Sequence, residues 1–183
     1  MPIHLESQRL ILDEVTAQDV SAIHRYASDP EVVRYQNWGP NTLVQTEDFV
    51  EQVLLWQQEN PRRYIVLAIR KKGDPRMLGA VSLEMDEQLP YAAFGFSLAR
   101  DAWGHGYATE AGQRLIAYVE ERLPLTRLTA SCDRRNLASQ AVLRKCGFKS
   151  MGTIHEHMML RDGWRDTMLF ELPLRASAAV ASS

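Results

Sequence analysis

The chain has 183 residues, 45% of them hydrophobic and 24% charged, with a formal net charge of −2. That length suits one domain with a sizeable core, and the composition excludes a disordered chain. The near-neutral balance gives no basic footprint for nucleic acid and no polybasic membrane signal, which leaves a small molecule or a peptide as the partner.

No apolar run reaches the roughly 18 residues that span a bilayer, and residues 1–6 lack the basic-then-apolar pattern of a secretory leader. Cys132 and Cys146 form no CxxC pair. A reduced, cytoplasmic protein is the simplest reading. The five histidines show no HExxH spacing. His155 and His157 share a strand face, but two ligands without a third make no metal site.

Residues 9–15 (RLILDEV) are rich in branched side chains and predict a first strand. Thr16 to Asp19 resembles a capping box with Asp in place of Glu, and Val20, Ile23, Tyr26 and Ala27 follow at helical spacing. Asp29-Pro30 ends that helix. Residues 35–41 (YQNWGPN) are a loop dense in turn formers and aromatics. Thr42-x-x-Gln45 offers a second cap, for a helix that runs to about Glu59 and stops at Asn60-Pro61. Residues 64–70, 77–85 and 91–98 are three more strands. The period then changes to 3.6, and Ala108, Ala111, Leu115, Tyr118 and Val119 mark a long helix through Arg122. Residues 128–132 are a short strand, and 138–145 a helix closed by Gly147. Residues 148–157 and 164–172 are the last two strands, with Asp162-Gly163 between them as a hairpin signal. The order predicts an α+β fold. A central mixed, mostly antiparallel sheet of about seven strands has flanking helices, in a single domain over residues 1–173 with a flexible tail at 174–183.

The most informative segment is SLARDAWGHGYATEA, residues 97–111. A strand ends, a loop carries Gly104 and Gly106, and a helix begins. The first helical turn has unpaired N–H groups and the positive end of the dipole, and glycines let the backbone approach an anion closely. Together these suit a pyrophosphate; by themselves the two glycines also suit a plain tight turn. No Lys follows in the P-loop pattern. The Rossmann fingerprint needs a small residue where Thr109 stands and an acidic one about 20 residues on, whereas Asp133 lies 27 beyond Gly106.

Gly104-x-Gly106-Tyr107-Ala108-Thr109-Glu110-Ala111 resembles the acetyl-CoA loop and helix of the GNAT N-acetyltransferase superfamily. Asn136-x-x-Ser139, running into Lys145-x-Gly147-Phe148, resembles its second cofactor segment. Asp162-Gly163-Trp164-x-Asp166 and Trp38-Gly39-Pro40 resemble the RimJ/RimL-like branch, which acetylates N-terminal amines of ribosomal proteins. The likeness covers residues 10–172. It implies that the fourth and fifth strands splay apart around the pantetheine arm. Backbone groups of Phe96, Ser97 and Leu98 would meet that arm, one of them as an oxyanion donor. Amides of Trp103, Gly104, His105, Gly106, Tyr107, Ala108 and Thr109 would hold the pyrophosphate, and Asn136 would hydrogen-bond the arm. A plain helix N-cap is the other reading of Asn136.

The sequence departs from the family pattern in two places. Asp101 stands where Gln or Arg often opens the loop; it is placed to cap the following turn. Leu143 stands where many members carry the Tyr that protonates the leaving thiolate. Ser139, one turn earlier on the same face, holds the acid role assigned to a Ser in the RimJ/RimL-like branch; alternatively it is a helix-start hydroxyl. The general base stays open among Glu84, His155, Glu156, His157 and a water relay, since Met158 occupies the place where the branch uses Glu. Without a clear carboxylate base a low-pKa amine is favoured. An α-amine, at pKa ~7.7–8.0, is roughly a tenth to a sixth neutral at pH 7, and a Lys side chain only about one part in 2,500. The expected activity is therefore acetyl transfer from acetyl-CoA, with no metal, to a primary amine, foremost a protein N-terminus. The alternatives are a small-molecule amine or a non-catalytic acyl-CoA sensor. The expected assembly is a monomer or a homodimer. Residues 35–38 and 161–164 are expected to flank the acceptor.

Overall fold

A computed structural model describes residues 2–175. Among them, eight strands join in one sheet: β1 (His4–Glu6), β2 (Leu10–Glu14), β3 (Tyr64–Lys71), β4 (Met77–Met85), β5 (Tyr91–Leu98), β6 (Arg127–Asp133), β7 (Lys149–Leu160) and β8 (Gly163–Pro173). The helices are α1 (Val20–Ala27), α2 (Leu43–Trp56), α3 (Tyr107–Arg122) and α4 (Leu137–Lys145). The strand order is β1-β2-β3-β4-β5-β6-β8-β7, antiparallel except for the β5–β6 pair, which α3 connects. A parallel pair needs such a crossover.

Alternation along β3 divides the core into two layers. Ile65, Leu67 and Ile69 enter one buried cluster with Leu115 and Val119 of α3, while Val66 and Ala68 enter a second with Ile23 of α1 and Val53 of α2. Helices therefore cover both faces, which is why residues 65–69 are apolar without a break. Both caps form: Asp19 accepts from Thr16 N at 2.9 Å, and Thr42 and Gln45 exchange bonds at 2.9 and 3.3 Å.

The sheet has one strand more than the expected seven. β1 is only three residues long, with Leu5 as its one buried side chain, so it carries no readable alternation. β7 runs three residues past its expected end. The hairpin turn falls at Arg161-Asp162, one residue early, because Leu160 pairs with Gly163. Two bonds follow residue 173: Leu174 N donates to Thr126 O at 2.9 Å, and Arg175 N to the Glu120 carboxylate at 3.2 Å. The rest of the tail expected at 174–183 lies outside the described residues.

Two glycines hold β5 close to β4. A Cβ on Gly79 would overlap the Ser97 carbonyl oxygen and stand 2.7 Å from Leu98 Cα, and one on Gly95 would stand 2.8 Å from Ser82 Oγ. Gly79→Ala must therefore push β5 away from β4. Overpacking of this kind costs about 1–3 kcal/mol. A clear fall in the thermal midpoint is expected; an unchanged midpoint by calorimetry would show that β5 is free to shift.

Candidate active site

β5 and β6 pair only at Tyr91↔Arg127, Ala92↔Leu128 and Ala93↔Thr129. Beyond that the strands part, as the family resemblance implies. Their outer edges stay held by β4 and β8, while the facing edges of 94–98 and 130–133 have no strand between them. The gap opens into a cavity of about 690 Å³. Asn136, Ser139 and Leu143 of the α4 segment line one part of it, and Tyr26, Trp38 and Phe49 from the α1–α2 side line another. The cavity thus joins the two faces of the sheet through the gap. Phe96 and Ser97 line it; Leu98 does not. Leu98 packs into the core, and its carbonyl accepts from Trp103 Nε1 at 2.9 Å.

The glycine loop lies at the start of α3. Gly104 and Gly106 have φ of 75° and 78°, and Gly106 is the left-handed cap residue of the helix. The N–H groups of Gly104, His105 and Gly106 meet no acceptor among the described residues. Tyr107, Ala108 and Thr109 occupy the first turn, where helical geometry provides no acceptor either. Trp103 departs from the expected set, because its N–H donates to Arg100 O at 3.1 Å and closes a short 3-10 turn. Asp101 caps nothing; it pairs with Arg25 at 2.8 Å, which neutralises a carboxylate that would repel phosphate.

Arg9, which sequence reasoning missed, braces this loop. Its Nε bonds Glu110 at 2.6 Å, its Nη1 donates to His105 O at 3.0 Å, and the guanidinium stacks over Tyr107. Burial pushes the Glu110 carboxyl up, but the bonds from Arg9 and Ser7 outweigh it and hold the group below the usual carboxylate range. The partners are about a hundred positions apart in sequence, so no local signal marks the pair.

Asn136 caps α4, its Oδ1 accepting from Ser139 N at 3.0 Å. Its side-chain N–H₂ has no partner among the described residues, so the cap leaves a donor free beside the cavity. The Ser139 hydroxyl likewise makes no hydrogen bond among them and is half-buried. Leu143, one turn on, is fully buried. Cys132 also lines the cavity, and burial pushes its thiol up to about 11, which disfavours the thiolate.

Of the proton acceptors left open, Glu84 and His157 line the cavity, while His155 and Glu156 do not. Glu84 accepts from Tyr64 Oη at 2.8 Å. A bulge in β7 between Ile154 and Met158, with Glu156 at φ 45°, brings His157 Nδ1 within 3.0 Å of Thr167 Oγ1. His155 instead bonds Asp166 at 3.1 Å. The loop between α1 and α2 contributes Tyr35, Gln36, Asn37 and Trp38 to the cavity wall; Trp164 is exposed and stands apart. Arg161 donates to the carbonyls of Trp38 and Gly39 and so ties that loop to the last hairpin. Among the described residues no cluster of His, Cys, Asp or Glu has the makings of a metal site, and no helix is long and apolar enough to cross a membrane.

The family model for the GNAT acetyltransferase domain matches residues 9–149. The chain belongs to the GNAT family. Membership makes it an acyltransferase that draws its acetyl group from acetyl-CoA, and the parted strands and the loop of free amides suit that donor. The uncharacterized N-acetyltransferase p20 of Bacillus licheniformis is 28% identical over 176 residues, covering 95% of this chain and 98% of p20. A GNAT acetyltransferase from Bacillus anthracis superposes with a TM-score of 0.83 at 22% identity, covering 93% of this chain and 98% of that one. RimL, a ribosomal L7/L12 α-N-protein acetyltransferase solved with coenzyme A, gives 0.83 at 20% identity, covering 94% and 98%.

A side chain at Gly106 would meet little of the protein; its nearest neighbour would be Arg9 Nη2 at 3.5 Å. The cost of Gly106→Val is instead the left-handed φ, about 1–2 kcal/mol, together with intrusion into the space before the amides. Acetyl-CoA affinity by calorimetry is expected to fall about tenfold or more. Gly73→Val carries the same φ of 78° in a turn away from the site and is the control. Equal affinities in the two variants would dissociate the loop from the pyrophosphate.

Proposed function

We propose that the chain acetylates the α-amine of a protein or peptide N-terminus, by direct attack of the amine on acetyl-CoA in a ternary complex. The observation that carries this reading is the single cavity running from the open β5–β6 edges to the α1–α2 face. Donor and acceptor can meet there without a covalent enzyme intermediate. The Cys132 thiol on the cavity wall is disfavoured as an acetyl acceptor, because burial raises its pKa. The solved RimL acts on an α-amine with the same fold, which supports the acceptor class.

In this reading the amine nitrogen attacks the thioester carbonyl carbon, and an open amide of the β5 edge polarises the carbonyl oxygen. As the carbon–sulfur bond breaks, Ser139 Oγ gives its proton to the departing thiolate. The attacking nitrogen loses its proton to Glu84, to His157 or to water. An α-amine is already partly neutral at pH 7, so this step asks little of the base. Asn136 and the amides of 104–109 hold the coenzyme, and Phe96 and Ser97 flank its arm.

Ser139→Ala is expected to lower kcat by about 10²–10³-fold, the lower part of the general-acid range, because a thiol of pKa near 8.5 is already a fair leaving group. Acetyl-CoA affinity should stay as in the parent. Thiol release measured beside a direct binding assay checks both. A kcat within about twofold of the parent would make Ser139 a helix-start residue only. Tight acetyl-CoA binding without thiol release, over mixed amines and N-terminal peptides, would make the protein a sensor.

A further inference from the structure

Arg165 is buried, at 9% exposure, and lines the cavity. It lies on β8, where burial alternates through Arg165 and Thr167, so its side chain takes an inward position. A buried guanidinium has five donors and needs a counter-charge or several acceptors. Arg165 has one bond, from Nη1 to Tyr35 O at 2.9 Å. Its Nε is buried without any partner, and its Nη2 has none among the described residues. No carboxylate there comes within ion-pair distance of it.

The nearby acid is already committed. Asp133 is 1% exposed and receives Arg135 three times: N and Nε on Oδ1 at 2.8 and 3.0 Å, and Nη2 on Oδ2 at 2.6 Å. Arg135 also takes Asp162 at 2.7 Å. Arg165 is thus a buried cation on a cavity wall with its hydrogen bonding incomplete. Its bond to Tyr35 joins it to the α1–α2 loop over the cavity, and across the hairpin it pairs with Met158 at the end of the bulge.

We infer that Arg165 grips the acyl oxygen next to the acceptor's amine, which restricts acceptors to α-amino acyl compounds. The inference rests on the acetyl-transfer reading and deepens it. A carbonyl or carboxylate oxygen in the cavity supplies the acceptor that Nη2 lacks, while Nε stays enclosed and Nη1 stays anchored on Tyr35 O. The planar fork then fixes the amine relative to the thioester. Polyamines and aminoglycosides have no such oxygen, and their second ammonium groups would meet a buried positive charge.

The test compares alaninamide with isopropylamine, which lacks the acyl group, in the parent and in Arg165→Met. Ratios of variant to parent cancel the different basicities of the two amines. Loss of the Tyr35 brace costs both amines alike, so kcat/KM for alaninamide should fall about tenfold to a hundredfold further than that for isopropylamine, the usual value of a hydrogen bond to a charged group. Arg165→Lys, which keeps the charge and loses the fork, should fall in between. Equal losses on both amines would overturn the inference and reduce Arg165 to a brace for Tyr35.

If Arg165→Met does not fold, the parent decides. It should prefer alaninamide by at least about tenfold over 2,2-difluoroethylamine, an acyl-free amine of comparable basicity; no preference overturns the inference. A parent that acetylates only polyamines overturns the α-amine reading as well, whereas intact peptide turnover with equal losses overturns this inference alone. Alanine and an Ala-initiated peptide, run in parallel, tell a carboxylate from a peptide carbonyl as the gripped group.

Discussion

The separation of β5 from β6 is the constraint on which the rest of the molecule depends. Two parallel strands that stayed paired would satisfy each other's backbone groups and close the sheet. Here pairing ends after Ala93 and Thr129, and the edges beyond are left with N–H and C=O groups that a buried chain must satisfy elsewhere. Gly79 and Gly95 allow β5 to follow β4 closely, and the seven-residue register with β8 keeps β6 on the other side. The gap is therefore held open by pairing on both flanks. A ligand arm with its own amide groups can take the place of the missing ladder.

The other parts of the site are arranged around that gap. α3 leaves β5 and presents its first turn, with the loop braced by Arg9. α4 begins just past the end of β6, which brings Asn136 and Ser139 to the wall. On the far face, the loop between α1 and α2 is tied to α1 by one backbone bond, Asn41 N on the Ala27 carbonyl at 2.9 Å, and needs more to hold its tip. It is held by arginines of the last hairpin, Arg161 on the Trp38 carbonyl at 2.7 Å and Arg165 on that of Tyr35 at 2.9 Å. Segments more than a hundred positions apart in sequence thus shape the α1–α2 side of the cavity, while the glycine loop and the start of α4 come from elements that follow one another, with Arg9 as a distant brace.

That difference explains what the sequence disclosed. The signals on the α3–α4 side are local: a strand, two glycines and a helix start lie within about fifteen residues, and Asn136 and Ser139 sit one turn apart. Each reads as chemistry because spacing along the chain is spacing in space. The helices and all strands but β1 read in the same way, from period and caps. Arg9, Arg161 and Arg165 act through partners that only the fold brings near, so their roles are invisible in a linear reading. A charged residue at an inward position of a strand, as Arg165 is in GWRDT, is the one local sign that was available. The β7 bulge was also illegible, since nothing in IHEHM marks a lost register. It separates His157, which reaches the cavity, from His155, which does not.

The central claim, that the cavity brings an α-amine to acetyl-CoA, is tested most directly by the site of acetylation. A peptide with a free N-terminus and an internal lysine, incubated with the protein and acetyl-CoA and then fragmented by mass spectrometry, distinguishes the two amines within one molecule. The expected result is an acetyl group on the α-nitrogen with coenzyme A released in equal amount. Acetylation confined to the lysine side chain, or no acetylated peptide at all, would contradict it.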